Sequence, residues 1–197
     1  MFTGIVESLA KVEKIETKGT NNNILFSSPI SHDLKVDQSV SHNGVCLTVI
    51  KLEKASHWAT AVQETLQKSN LGSLRMGDFV NIERSMPNNG RFDGHIVQGH
   101  VDQIGTLTSI NDENGSWLFD FTYDPANENV TVEKGSVSVN GISLTCFNSR
   151  KDSFSVAVIP YTFEHTNFGY LKPGDIVNLE FDIVGKYVRK LVGTSTT

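Results

Sequence analysis

The chain has 197 residues, 38% hydrophobic and 20% charged, with a formal net charge of -5 and a pI near 5.6. That length fits one large domain or two small ones, the apolar share can bury a core, and the acidic balance lacks the basic footprint of a nucleic-acid binder. No window approaches the roughly 20 apolar residues that span a bilayer, and the start, MFTGIVESLA, has neither the basic region nor the apolar run of a secretory signal.

In chain order, the first element with a clear period is VCLTV at 45–49, inside NGVCLT. Strand alternation puts Val45, Leu47 and Val49 on one face, toward a core, and Cys46 and Thr48 on the other. Side chains two apart on a strand sit roughly 6.5–7 Å from each other, so Cys46 and Thr48 form a small outward polar pair. TLQKSNLGSL at 65–74 reads as one or two helical turns ended by Gly72. GDF then turns the chain into a strand, VNIE at 80–83. MPNNGRFDG at 86–94 is dense in turn formers and marks a domain boundary. GHIVQGH follows. Read as a strand it places His95 and His100 on opposite faces, unable to chelate one metal as a local pair.

The second half repeats the first. Sliding the sequence by 97 aligns 41–85 with 138–182 with 16 of 45 positions identical and no gap. NGISLT at 140–145 answers NGVCLT, TFEHTNFGYL answers TLQKSNLGSL, and GDI with NLE answers GDF with NIE. Near the start the offset changes by two, so that GIV at 4–6 pairs with GHV at 99–101. A unit this long present only twice is a duplicated domain rather than a solenoid. Ile142, Leu144 and Cys146 then face inward, and Ser143 and Thr145 outward. NLEFDIV extends the alternation, with Leu179, Phe181 and Ile183 on one side and Asn178, Glu180 and Asp182 on the other. The fold class is all-β: two tandem barrels or sandwiches of short strands. The tail, IVGKYVRKLV, has apolar residues at 183, 184, 187, 188, 191 and 192, an amphipathic helix that packs on its own domain or on another subunit. Expected units are 1–93, 94–182, and a helix and tail at 183–197.

A small packed barrel leaves little room inside, so any site lies on the outer faces. Cys46 and Cys146 share no CxxC spacing and read as reduced thiols of a cytoplasmic protein. HExxH, P-loop, GxGxxG and GxSxG motifs are absent. His32, His42, His57 and His165 read as surface or structural residues. His100 stands out because Ile5 occupies its place in the other copy.

MFTGIVE, NGVCLTV, NGISLT, the ETL-NLG stretch, GHIVQGHVD and the two GD-V-N-E strands together resemble the riboflavin synthase family of lumazine-binding repeats, in order and along essentially the whole chain. The resemblance implies two six-stranded Greek-key β-barrels and a C-terminal helix that helps build a homotrimer. It implies dismutation of two 6,7-dimethyl-8-ribityllumazine molecules, one donating a four-carbon unit to the other, to give riboflavin and 5-amino-6-(D-ribitylamino)uracil, with no metal or redox cofactor. Ligands are the lumazine and riboflavin, with no nucleic acid and no membrane. His100 is implied as acid/base, a role that suits an imidazole near neutral pH. Ser143 and Thr145 are implied to hydrogen-bond the ring, Cys46 and Thr48 to do so in the other pocket with Cys46 a candidate nucleophile, and Asp182 to orient ribityl hydroxyls or His100. Phe2 is implied to cover the ring. Gly4, Ile5, Val6, Gly99 and Val101 are implied to contact the pyrimidinedione edge. Leu47, Ala61, Val62, Gln63, Thr65, Leu144, Ile159, Pro160, Tyr161 and Thr162 are implied to line the ring and ribityl chain, with Lys134 reaching in from a loop.

The chain departs from the family pattern at PYTFEHTNFG, where PETLxRTxLG is commoner, and at Asn140, where Asp is common. Two identical substrates with different roles need similar but unlike pockets, and the copies differ at Ile5/His100, Cys46/Ser143 and Glu64/Tyr161. Two competing readings are a non-catalytic lumazine or flavin binder of the same fold, and a flavoprotein reductase barrel. The second lacks room for its nucleotide-binding domain.

Overall fold

Alternating apolar residues drive two antiparallel barrels, seen in a computed structural model that describes residues 1–127 and 129–193. The first barrel comprises β1 (Ser8–Lys18), β2 (Asn21–Ser27), β3 (Ser39–His42), β4 (Val45–Glu53), β5 (Ser56–Ala61) and β6 (Phe79–Arg84). The second comprises β7 (Gln103–Asp112), β8 (Trp117–Tyr123), β9 (Ser136–Val139), β10 (Ile142–Phe147), β11 (Ser153–Val158) and β12 (Ile176–Phe181). Both close in the same order: β1-β2-β5-β4-β3-β6, and equivalently β7-β8-β11-β10-β9-β12. Closure leaves no free edge strand. Irregularities between Val12 and Lys14 and between Leu107 and Ser109 occupy equivalent places in β1 and β7. Such bulges tighten the twist a small barrel needs.

Each interior is filled by its own strands. Val12, Ile24, Phe26 and Ile82 are fully buried in the first barrel, and Leu107, Phe119, Phe121 and Leu179 in the second. Burying each such side chain is worth about 1.5–3 kcal/mol. The expected short helices are α1 (Gln63–Lys68) and α2 (Pro160–His165), each followed by a 3-10 turn that plugs a barrel with Leu71 or Phe168.

The expected alternation through Asp182 and Ile183 fails. β12 stops at Phe181, and α3 (Ile183–Gly193) begins at once. The Asp182 carboxylate accepts the Val184 N–H at 2.9 Å, and its carbonyl accepts the Lys186 N–H. A side chain that satisfies an orphan N–H starts the helix, so Asp182 belongs to a helix entry rather than to a strand face. The helix lays no apolar stripe on its own barrel: Val184, Tyr187, Val188, Leu191 and Val192 are 55–69% exposed. Residues 194–197 of the expected tail lie outside the described residues.

Candidate functional site

The two near-identical hexapeptides meet. Asn43-Gly44 joins β3 to β4, and Asn140-Gly141 joins β9 to β10, all four residues at positive φ (49°, 81°, 48° and 79°). This is the backbone that two-residue hairpins prefer and that Asn-Gly supplies. Space demands glycine as well: a Cβ on Gly44 would lie 2.9 Å from the Gly141 nitrogen, and one on Gly141 2.7 Å from the Gly44 nitrogen. Six buried asparagines surround this contact. The Asn70 N–H donates to the Asn178 side-chain oxygen at 2.6 Å, and the Asn167 N–H to that of Asn81 at 2.7 Å. The Asn178 amide donates to the Asn43 carbonyl and the Asn81 amide to the Asn140 carbonyl, at 2.8 and 2.9 Å. Each bond has its mirror in the other repeat, so this is a pseudo-twofold junction between the barrels.

A second pair of contacts crosses it. The segment before each barrel docks on the outer strand of the other. The Ser143 N–H donates to the Gly4 carbonyl at 2.8 Å, and the Cys46 N–H to the Gly99 carbonyl at 2.9 Å. Phe2 and Val97 pair where the segments pass. GHIVQGH is therefore no regular strand; only Val97 makes a bridge.

Cys46 shares a cavity of about 250 Å³ with Val45, Glu64, Thr65, Lys68, Ser69, Gly99, His100 and Val101. His100, which belongs to the second repeat, lies against the N-terminal barrel because its segment crosses over. Ser143 receives Gly4 and carries a partner the sequence reading missed. His95 Nδ1 lies 2.7 Å from Ser143 Oγ. Burial lowers the His95 pKa and the charge of Asp182 opposes that shift. Asp182 thus acts electrostatically on His95, and it lines a separate cleft of about 700 Å³ with Asn129, Val130 and α3. Nothing in the repeat marks His95, because it has no counterpart in the first copy.

The expected outward pairs are as described: Cys46 and Ser143 half-buried, Thr48 and Thr145 exposed, with Val45, Val49, Ile142 and Cys146 inward. Lys134 leans over the outer-face ring of Phe147, its Nζ 5.0 Å from the centroid. Ile5, Val62, Gln63, Ile159, Pro160 and Tyr161 are exposed, and Val6, Val101, Thr65 and Thr162 partly so. Four residues of the expected lining have side chains turned into the protein. Phe2 is fully buried under the crossing. Ala61 and Leu47 are buried, and Leu144 packs against its barrel core, because the strand period turns them inward. Of the atypical α2 residues, Phe163 stacks on Trp117 at 3.9 Å and is structural, while Tyr161 stacks on His165 at the surface.

His42 and His57, expected to be surface or structural, are fully buried. His42 Nδ1 lies 3.1 Å from the Val40 carbonyl, His42 Nε2 2.8 Å from His57 Nε2, and His57 Nδ1 2.9 Å from Ser31 Oγ. With both rings neutral, only one proton order satisfies this chain: Ser31 donates to His57, His57 to His42, and His42 to Val40. Burial drives His57 down to about 4 and His42 well below its ordinary value.

A family profile described as "Lumazine binding domain" matches residues 3–85 and again 98–182. The chain belongs to the lumazine-binding domain family. It is 39% identical over 193 residues to riboflavin synthase of Actinobacillus pleuropneumoniae, covering 98% of this chain and 90% of that one. It is 40% identical over 197 residues to riboflavin synthase of Mycobacterium tuberculosis, covering 98% of both chains. Among solved structures, LumP complexed with riboflavin superposes with a TM-score of 0.85 at 22% identity, covering 92% of this chain and 99% of that one. LumP complexed with 6,7-dimethyl-8-(1'-D-ribityl) lumazine gives 0.83 at 19%, covering 91% and 98%. These last two speak to the shared double-barrel fold.

Proposed function

We propose that this chain is a riboflavin synthase, an enzyme that converts two molecules of 6,7-dimethyl-8-ribityllumazine into riboflavin and 5-amino-6-(D-ribitylamino)uracil. The observation that carries this reading is the pair of related but unlike faces, His100 with Cys46 and His95 with Ser143, within a chain that follows its riboflavin synthase relatives almost end to end. Two copies of one substrate call for two similar pockets; unequal roles call for different reactive groups. The two products together contain every atom of the two substrates, so the exchange is balanced without an external oxidant.

His100 moves a proton, with the acidic 7-methyl group of one lumazine as the natural partner. A nucleophile adds at C7 of the other, and Cys46 and Ser143 are the candidates. Ser143 is the better supplied, since His95 can take its proton. Thr48, Thr145 and Lys134 hold polar edges, and Thr65, Thr162 and Tyr161 the ribityl chains. Aligning the two rings can itself supply much of the rate, since well-oriented reactants reach effective molarities of about 10⁵ M or more.

The cavity beside Cys46 is smaller than the roughly 300–1,000 Å³ of a complete ligand pocket. We read each face as half a site, closed by the opposite face of a neighbouring subunit in a homotrimer. The exposure of Val184, Tyr187, Val188 and Val192 along α3 supports this assembly. Residues 1–93, 94–182 and 183–197 are the proposed units, and the cytoplasm, where the thiols of Cys46 and Cys146 stay reduced, is the proposed location.

The test is to supply purified protein with the lumazine and follow absorbance and fluorescence. One riboflavin formed per two lumazines consumed is the expected result. Lumazine bound without turnover would instead make the chain a non-catalytic lumazine binder.

A further inference from the structure

Two buried carboxylates, Glu83 and Glu180, sit at equivalent places in β6 and β12 with 5% and 3% of their surface exposed. Glu180 Oε1 accepts the Gln98 N–H at 2.6 Å, and Oε2 accepts the Gly99 and His100 N–H groups, both at 2.9 Å. Glu83 Oε1 accepts the Thr3 N–H at 2.6 Å and its hydroxyl at 2.8 Å, and Oε2 accepts the Gly4 N–H at 3.0 Å. A buried charge persists only where donors converge on it, and here each set of donors is a crossing segment. The same segments carry the Gly99 and Gly4 carbonyls that receive Cys46 and Ser143. Each glutamate therefore reaches from one barrel, through a short stretch of backbone, to the reactive face of the other.

The His100 ring is exposed and has no hydrogen-bond partner among the described residues. What is held in place is the backbone that carries the ring at the Cys46 cavity, and Glu180 holds it. We propose that Glu180 is the positioning residue for His100, and that Glu83 performs the matching task for Gly4 and Ile5 beside Ser143. The assignment rests on the proposed riboflavin synthase reading for its catalytic readout, though not for its structural one.

Glu180→Gln tests it. A glutamine offers one acceptor oxygen and turns an NH₂ toward a remaining N–H, so Gln98 or the Gly99–His100 pair loses its partner. In the full chain, the backbone amide proton signals of Gly99 and His100 should move upfield as their charge-assisted bonds weaken. With lumazine as substrate, kcat should fall about 10²-fold, the penalty of a misplacement near 1 Å, and KM should change far less. The limb of the pH profile that His100→Ala removes should shift. Glu83→Gln should weaken lumazine binding and leave that limb in place. Equal losses of kcat in the two variants with unmoved Gly99 and His100 amides would reduce Glu180 to a stability element and overturn the proposal. If Glu180→Gln does not fold, Glu180→Asp, which keeps the charge but draws it back by one carbon, decides: full kcat refutes the proposal and a selective kcat loss supports it. A wild-type chain that makes no riboflavin would sink the functional reading, while the amide signals would still judge the clamp.

Discussion

His100 and Cys46 are 54 positions apart in sequence and share one small cavity because a glycine carbonyl ties the strand of one to the segment of the other. His100→Ala should lower kcat by about 10²–10⁴-fold while lumazine affinity changes little. Steady-state kinetics beside equilibrium fluorescence binding checks this, and equal losses in both would make His100 a mere contact. Cys46→Ser asks whether the chemical difference between the copies matters, with loss of turnover expected and full activity showing that it does not. Sequence reasoning found these outward residues because strand period fixes a side chain's face. It could not find His95, which has no repeat partner, and it did not show that His100 faces the N-terminal barrel or that Asp182 starts α3. Period says which way a side chain points but not which barrel lies opposite, and the Asp182 cap mimics one more strand residue.

Elements explain what the repetition is for. NGVCLT and NGISLT are alike because each turn needs the positive φ that Asn-Gly tolerates, and because the two turns press backbone on backbone. The asparagines matched in the repeat, Asn43/Asn140, Asn70/Asn167 and Asn81/Asn178, were visible in the sequence, but their bonding across the junction was not, since pairing between units leaves no local period. Gly44→Ala should cost roughly 2–4 kcal/mol by combining left-handed strain with a clash against Gly141, as urea unfolding would measure. The buried histidine chain gives an acid dependence. His57 is held near 4 in the folded state against about 6.5 unfolded, so the unfolded chain binds the extra proton between those values. Stability is therefore full above about pH 6.5 and declines as pH falls toward 4, by about 3 kcal/mol for His57 alone. The second barrel carries Val139 and Phe154 at these places. A His42→Val, His57→Phe double variant should flatten the fall of Tm between pH 6.5 and 4, and an unchanged slope would place the acid sensitivity elsewhere.

At the scale of the whole molecule, the double barrel, its short helices and the terminal helix were all legible, because duplication supplied each signal twice. The proposed assembly has a weaker trace in sequence: an amphipathic period in the terminal helix, with Val184, Tyr187, Val188 and Val192 exposed. Truncation before Ile183 should reduce the assembly, and light scattering would show a lower mass. The claim that a working site joins the His100–Cys46 face of one subunit to the His95–Ser143 face of another is tested most directly by mixing two impaired chains. His100→Ala and Ser143→Ala, carrying different tags, would be co-expressed and the mixed assemblies isolated through both tags. Some sites in such assemblies combine two intact faces, so partial riboflavin formation, well above that of either variant alone, is the expected result. Mixed assemblies that bind lumazine yet turn over no faster than the separate variants would contradict it.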